Sequence, residues 1–142
     1  GWALGPAALI DAVRAAKQFM SFVGGTPFQP AVAYALEHEQ PWIDSMRDGL
    51  QRKRDTLSAA LTAAGADVKY SAGTYFVCAD IAPLGRGDAY EFCRSLPDLV
   101  GVAAVPVTAF VDEPAPWKSL VRFAFCKKDE VLADAAERLR RL

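Results

Sequence analysis

Arg122 is the residue of this chain whose type and setting raise the sharpest chemical question. It lies in Leu120-Val121-Arg122-Phe123-Ala124-Phe125-Cys126, an apolar and aromatic run that reads as a strand. A charge in the middle of such a strand is costly to bury unless a partner neutralises it. A planar guanidinium at the end of an apolar slot is well suited to grip a carboxylate through two parallel hydrogen bonds. Strand alternation offers a second reading, in which Arg122 turns to solvent, and the pattern leaves both open.

The other chemically capable residues lack companions. His38 stands among Glu37, Glu39 and Gln40 with no second His or Cys to share a metal and no serine to activate, so it reads as a surface histidine. Cys78, Cys93 and Cys126 sit in apolar surroundings without CxxC spacing. Nothing near them would lower a thiol pKa, so they read as core residues rather than nucleophiles. Asp80 follows an apolar run and reads as its terminator. The cations between 47 and 54 are interspersed with Asp48 and Asp55, the pattern of a solvated helix face. No residue set has metal-ligand spacing, and neither a Walker loop nor GxGxxG occurs.

The elements that must position these residues follow from periodicity and punctuation. Pro6 suits the first turn of a helix whose apolar face is Leu9, Val13, Ala16 and Met20, with Gly24-Gly25 as its stop. Thr26-Pro27-Phe28-Gln29 reads as a second start, with Thr26 as cap and Gln29 returning its hydrogen bond, for a helix to about Glu37. After a break at Pro41, Ile43, Met46, Leu50, Leu57, Leu61 and Ala64 form a long apolar stripe that Gly65 ends. The period then changes. Val68–Tyr70 and Thr74–Ile81 read as strands, the second buried on both faces. Asp88 starts a short helix ended by Pro97, Val102–Val105 is a strand before a corner at 106–110, and Leu120–Cys126 is the last strand. A final helix from about Asp129 presents Leu132, Ala135, Ala136 and Leu139. The result is an α/β chain: an opening strand stub and helices, then an α+β layer with helices covering one face of a mostly antiparallel sheet.

Composition narrows the class. With 142 residues, 52% hydrophobic and 23% charged, the chain is long enough to bury a core. Sixteen basic against seventeen acidic residues leave a formal charge of −1, with no basic surplus for nucleic acid or an anionic membrane. No apolar run approaches the roughly 20 residues that span a bilayer. An odd number of cysteines without a disulfide framework points to a reducing cytoplasm. Gly1-Trp2-Ala3-Leu4-Gly5-Pro6 opens without Met or a signal pattern and reads as a strand cut from a larger sheet.

Five segments, in order, resemble class I/II (fold type I) aminotransferases. Gly1–Pro6 with Leu9-Ile10 resembles the segment that follows the family's Schiff-base lysine, and Phe22-Val23-Gly24-Gly25-Thr26-Pro27-Phe28-Gln29 the next loop and helix start. Gly73-Thr74-Tyr75-Phe76 with Ala79-Asp80-Ile81 is similar to the small-domain strand of the kynurenine aminotransferase-like branch. Val105-Pro106-Val107-Thr108-Ala109-Phe110 resembles the family's Pro-x-Ser/Thr-x-Phe corner, and Leu120–Lys127 the strand bearing its substrate-carboxylate arginine. The overall character is closest to the actinobacterial N-succinyldiaminopimelate aminotransferase branch.

The resemblance implies the C-terminal part of a fold type I enzyme that uses pyridoxal 5'-phosphate to move an amino group from an amino acid to a 2-oxo acid. Residues 1–40 would end the large cofactor-binding domain and 41–142 would form the small domain, entered by a long helix. Arg122 would bind the substrate carboxylate, with Tyr75 and Thr108 as support. Val23 departs from the aromatic or polar groups usual at a loop that approaches the partner subunit of the family's homodimer. The Schiff-base lysine falls before Gly1, and Lys17, Lys53, Lys69, Lys118, Lys127 and Lys128 do not sit in its motif. No catalytic or cofactor-binding residue is therefore expected on this chain, which alone would be inactive. The implied reaction is N-succinyldiaminopimelate transamination in lysine biosynthesis, with kynurenine, methionine or glutamine transamination or a cysteine-conjugate β-lyase as alternatives. Of a different class is a free-standing α+β binding module using the Trp2 and Leu4 edge as a partner surface.

Overall fold

The computed structural model describes all 142 residues, which form two compact units, Gly1–Asp44 and Ser45–Leu142. In the first, α1 (Ala7–Met20) starts after an extended Pro6, whose carbonyl accepts from Leu9 N and Ile10 N. Gly1–Pro6 is not the expected strand. An extended segment becomes a strand only when a neighbour pairs with its N–H and C=O groups, and this one has no such neighbour. α2 (Phe28–His38) follows a turn in which Phe22 takes a positive φ of 61°. The expected cap at Thr26 does not form: its hydroxyl turns back to Gly24 O at 3.5 Å, and Pro27 is already helical. Pro41 falls inside the first turn of α3 (Gln40–Ala63), where its missing N–H leaves no bond unmade. No residue from Gly1 to Asp44 is buried, and the apolar faces of α1 and α2 are open, with Phe19 89% and Leu4 89% exposed.

The second unit has a core of its own. Four strands, β1 (Asp67–Lys69), β2 (Phe76–Asp80), β3 (Val105–Pro106) and β4 (Leu120–Ala124), pair antiparallel in the order β1-β2-β4-β3. Val77 and Ala79 of β2 lie beside Phe123 and Val121 of β4 and are all buried. Against that face pack Leu57 and Leu61 of α3, Phe92 and Leu96 of α4 (Ala89–Val100), and Leu132 and Leu139 of α5 (Asp129–Leu139). The expected helices on one face of an antiparallel sheet are present. The expectation that β2 is buried on both faces is corrected: Phe76, Cys78 and Asp80 alternate with the buried pair and are only half-buried, because every packed helix lies on the opposite side.

Local chemistry explains where these elements begin and end. α3 closes at Gly65, whose φ of 100° lets Ala66 N reach Leu61 O at 3.0 Å. α4 starts at Asp88, whose Oδ1 accepts from Tyr90 N at 3.0 Å and Glu91 N at 3.2 Å. Pro97 does not end α4 as expected. The helix runs to Val100 and stops at Gly101, where a left-handed turn returns an N–H to Pro97 O at 2.8 Å. Burial of Leu96 and packing of Val100 on the core hold that last turn despite the lost bond. β3 is shorter than the expected 102–105 strand and pairs only at Val105 and Pro106, on the sheet edge where a proline is tolerated.

The cysteines are all free, and only Cys93 fits the core expectation. Cys93 packs against the core, where burial pushes its thiol up to about 11. Cys78 is half-buried, and Cys126 is exposed just past the end of β4. No helix is long and apolar enough to cross a membrane. The Asp88 cap gives a direct check on this account of α4. Asp88→Ala is expected to lower the unfolding free energy by about 1 kcal/mol, seen as a lower urea midpoint at unchanged slope. An unshifted midpoint would show that the cap is dispensable.

Candidate functional site

The helix-free face of the sheet carries Arg122. Register decides this: Val121 and Phe123 point to the core, so Arg122 must point the other way, opposite Cys78 on β2 and Val105 on β3. It is nonetheless half-buried rather than free in solvent. Its Cζ lies 4.1 Å from the ring centroid of Phe76 and 4.1 Å from that of Phe110. The two rings come from opposite neighbours of β4. Phe76 sits on β2 two residues from the residue paired with Arg122, and Phe110 ends the 3-10 turn that follows β3. Each such contact contributes about 0.5–2 kcal/mol, more as water is excluded. The guanidinium makes no ion pair and no hydrogen bond within the chain, so its N–H donors are available to a ligand.

The two rings are set by short, well-determined turns. Before β2, Thr74 takes a φ of 65°, an uncommon conformation for a β-branched residue, and its Oγ1 accepts from Phe76 N at 3.1 Å. The loop ahead of it is tied to α3 by Arg54, which donates to Ser71 O at 2.9 Å, while the Ser71 hydroxyl donates to Gly73 O at 2.8 Å. Tyr75 O accepts from Phe125 N, extending the β2–β4 pairing by one bond, and the Tyr75 ring tilts onto Phe76 at 4.4 Å. On the other side, Pro106 leaves the sheet and Val107–Phe110 coils once, carrying Thr108 and bringing Phe110 back over the arginine.

The other titratable candidates are each accounted for by their own surroundings. Burial raises the Cys78 thiol, and the Arg122 charge only partly opposes it. Asp80 ends β2, as expected, and its Oδ1 accepts from Ala82 N at 2.9 Å. That bond, with a second from the Ser119 side chain, holds its carboxyl below the usual range. His38 is a surface residue, stacked on Tyr34 at 4.3 Å with Nδ1 2.9 Å from Tyr34 O. No three His, Cys, Asp or Glu side chains converge on a common point. A groove of about 380 Å³ between α3 and the 71–75 loop has Arg47 and Arg54 at its wall, but these pair with Asp48 and Asp55.

For pyridoxal phosphate the residues present fit only in part. Arg122 can hold the carboxylate of an amino acid. Four of the six lysines are engaged at the surface: Lys17 donates to Ser21, Lys53 to Lys127 O and Asp129, Lys69 to Asp67, and Lys118 lies 3.9 Å from Asp88, while Lys127 and Lys128 are exposed. Sequence reasoning singled out Arg122 but missed Phe76 and Phe110 as its ring partners. The available signals were the aromatic Phe76 at the start of one strand and Phe110 at the end of a proline corner. Without the register, nothing in the sequence joins them.

The comparisons agree over nearly the whole length. The aminotransferase class I and II family matches residues 1–139. A Mycobacterium tuberculosis protein named as a probable N-succinyldiaminopimelate aminotransferase is 54% identical over 98% of this chain, and the methionine aminotransferase of Escherichia coli is 37% identical over all of it. The solved structure of N-succinyldiaminopimelate aminotransferase from Mycobacterium tuberculosis superposes with a TM-score of 0.89 at 56% identity, covering 99% of this chain and 36% of that one. The chain spans 37% and 36% of the length of the two curated relatives. On this match of sequence and fold, the chain belongs to the class I and II aminotransferase family.

Proposed function

We propose that this chain supplies the substrate-carboxylate grip of an aminotransferase that moves an amino group from an amino acid to a 2-oxo acid with pyridoxal 5'-phosphate as cofactor. The observation that carries the reading is Arg122, a half-buried guanidinium flanked by two rings and bonded to no acceptor of its own chain. A guanidinium edge matches the two oxygens of a carboxylate. Both reactants of a transamination, amino acid and 2-oxo acid, carry one. Held at that edge, the substrate has its Cα fixed in position and orientation, which lowers the barrier before any bond changes. The cofactor's attachment is assigned to residues outside this chain, because none of its six lysines lies in a segment that resembles the family's Schiff-base motif.

The same reading assigns 1–40 to the end of a large cofactor-binding domain and 41–142 to the small domain. The largely exposed apolar faces of α1 and α2 support it, since a unit without a buried residue needs other surfaces to cover it. It also places the protein in the cytoplasm as a homodimer; three unpaired cysteines fit a reducing compartment. Among substrates, N-succinyldiaminopimelate comes first because of the Mycobacterium tuberculosis relative, with methionine as the runner-up favoured by the Escherichia coli one.

Three measurements test the proposal. The full-length protein containing this chain is expected to transaminate N-succinyldiaminopimelate with 2-oxoglutarate in preference to methionine, kynurenine or glutamine. In it, Arg122→Lys is expected to lower kcat/KM by about 10- to 150-fold, the value of one lost charge-assisted hydrogen bond. No transamination, or an indifferent Arg122→Lys variant, would sink the reading. Separately, the 142-residue chain incubated with pyridoxal phosphate and reduced with borohydride is expected to carry no stoichiometric label at any one lysine. A label mapping to a single lysine by mass spectrometry would overturn the assignment of cofactor attachment.

A further inference from the structure

We propose that Phe76 and Phe110 form a two-sided aromatic clamp that presets the Arg122 guanidinium for a single carboxylate, making both of them positioning residues for substrate binding. The proposal rests on the reading of Arg122 as the carboxylate grip. An arginine side chain has several rotatable bonds, and on an open sheet face with no acidic partner it would sample many rotamers. Here two rings stand over it, each 4.1 Å from Cζ. The attraction of a cation to ring faces favours that arrangement and leaves the N–H groups unused. An acidic side chain would hold the arginine equally well but would occupy the donors that the substrate needs. Rings hold it without competing.

Details of the fold are consistent with a built clamp rather than chance cover. Phe110 is 56% exposed, so core packing does not account for its place; the Val107–Phe110 turn brings it there. Phe76 is fixed by the Thr74 turn at its backbone N–H and by the tilted Tyr75 ring at its side chain. Cys78, directly across from Arg122, is a small thiol held neutral by burial, so it adds no charge to compete for the guanidinium. A lysine in place of Arg122 would lack the planar face that stacks between rings.

Steady-state kinetics of the active full-length holoenzyme test this. Phe110→Leu keeps the apolar cover and removes the ring. It is expected to raise KM for both the amino acid and the 2-oxo acid by about 2- to 30-fold, the range of one cation–π contact, with KM rising more than kcat falls. Phe110→Tyr keeps the ring and should bring KM back toward that of the unchanged protein. In an Arg122→Lys background the further effect of Phe110→Leu should shrink, since a lysine lacks the planar face that stacks on the ring. An unchanged KM in Phe110→Leu, failure of Phe110→Tyr to restore it, or equal effects in both backgrounds would overturn the clamp while leaving the carboxylate reading intact. If Arg122→Lys alone changes nothing, the carboxylate reading fails and the clamp with it.

Discussion

The pairing of β2 with β4 is the constraint on which the rest of the Ser45–Leu142 unit depends. Because Val77 lies beside Phe123 and Ala79 beside Val121, one face of the sheet becomes wholly apolar and must be covered. α3, α4 and α5 cover it, and their leucines and Phe92 complete a single core. The same register leaves no choice for the residues in between. Cys78 and Arg122 share the opposite face, and a slip of one residue would drive the guanidinium into the core and a phenylalanine out of it.

Leaving a guanidinium half-buried without an acid is costly unless something replaces the water it loses. Two ring faces do so in part, and they come from segments that the strand pairing itself delivers to the place. The rings cannot satisfy the N–H donors, which need an acceptor, and on the proposed reading a substrate carboxylate is that acceptor. On the proposed reading this site holds one chemical group, and the reacting groups belong to other parts of the enzyme. That division suits a family in which the cofactor performs the bond-making chemistry and the protein supplies binding and orientation.

The two units differ in how far each satisfies itself. The Ser45–Leu142 unit buries sixteen hydrophobic residues, from Leu57 to Leu139, whereas Gly1–Asp44 buries none and presents Trp2, Phe19 and Trp42 outward. A helix pair without a core gains little from its own contacts. The chain spans little more than a third of the length of the two curated relatives.

Helix periodicity, the glycine that ends α3, the aspartate that starts α4 and the final amphipathic helix were all legible in the sequence, because each depends on residues within a few positions of one another. Arg122 stood out for the same reason: a charge inside an apolar run is a local anomaly. Expectations failed where distant groups decide. Pro97 remained inside α4 because core packing outweighed a missing bond, and Gly1–Pro6 did not become a strand because a strand requires a neighbour. For Arg122 the sequence determined the charge and the strand, and alternation left its direction open. Only the tertiary structure decided the rest, by register: Phe76, Phe110 and Arg122 lie far apart along the chain, and they meet only because β2, β3 and β4 pair as they do.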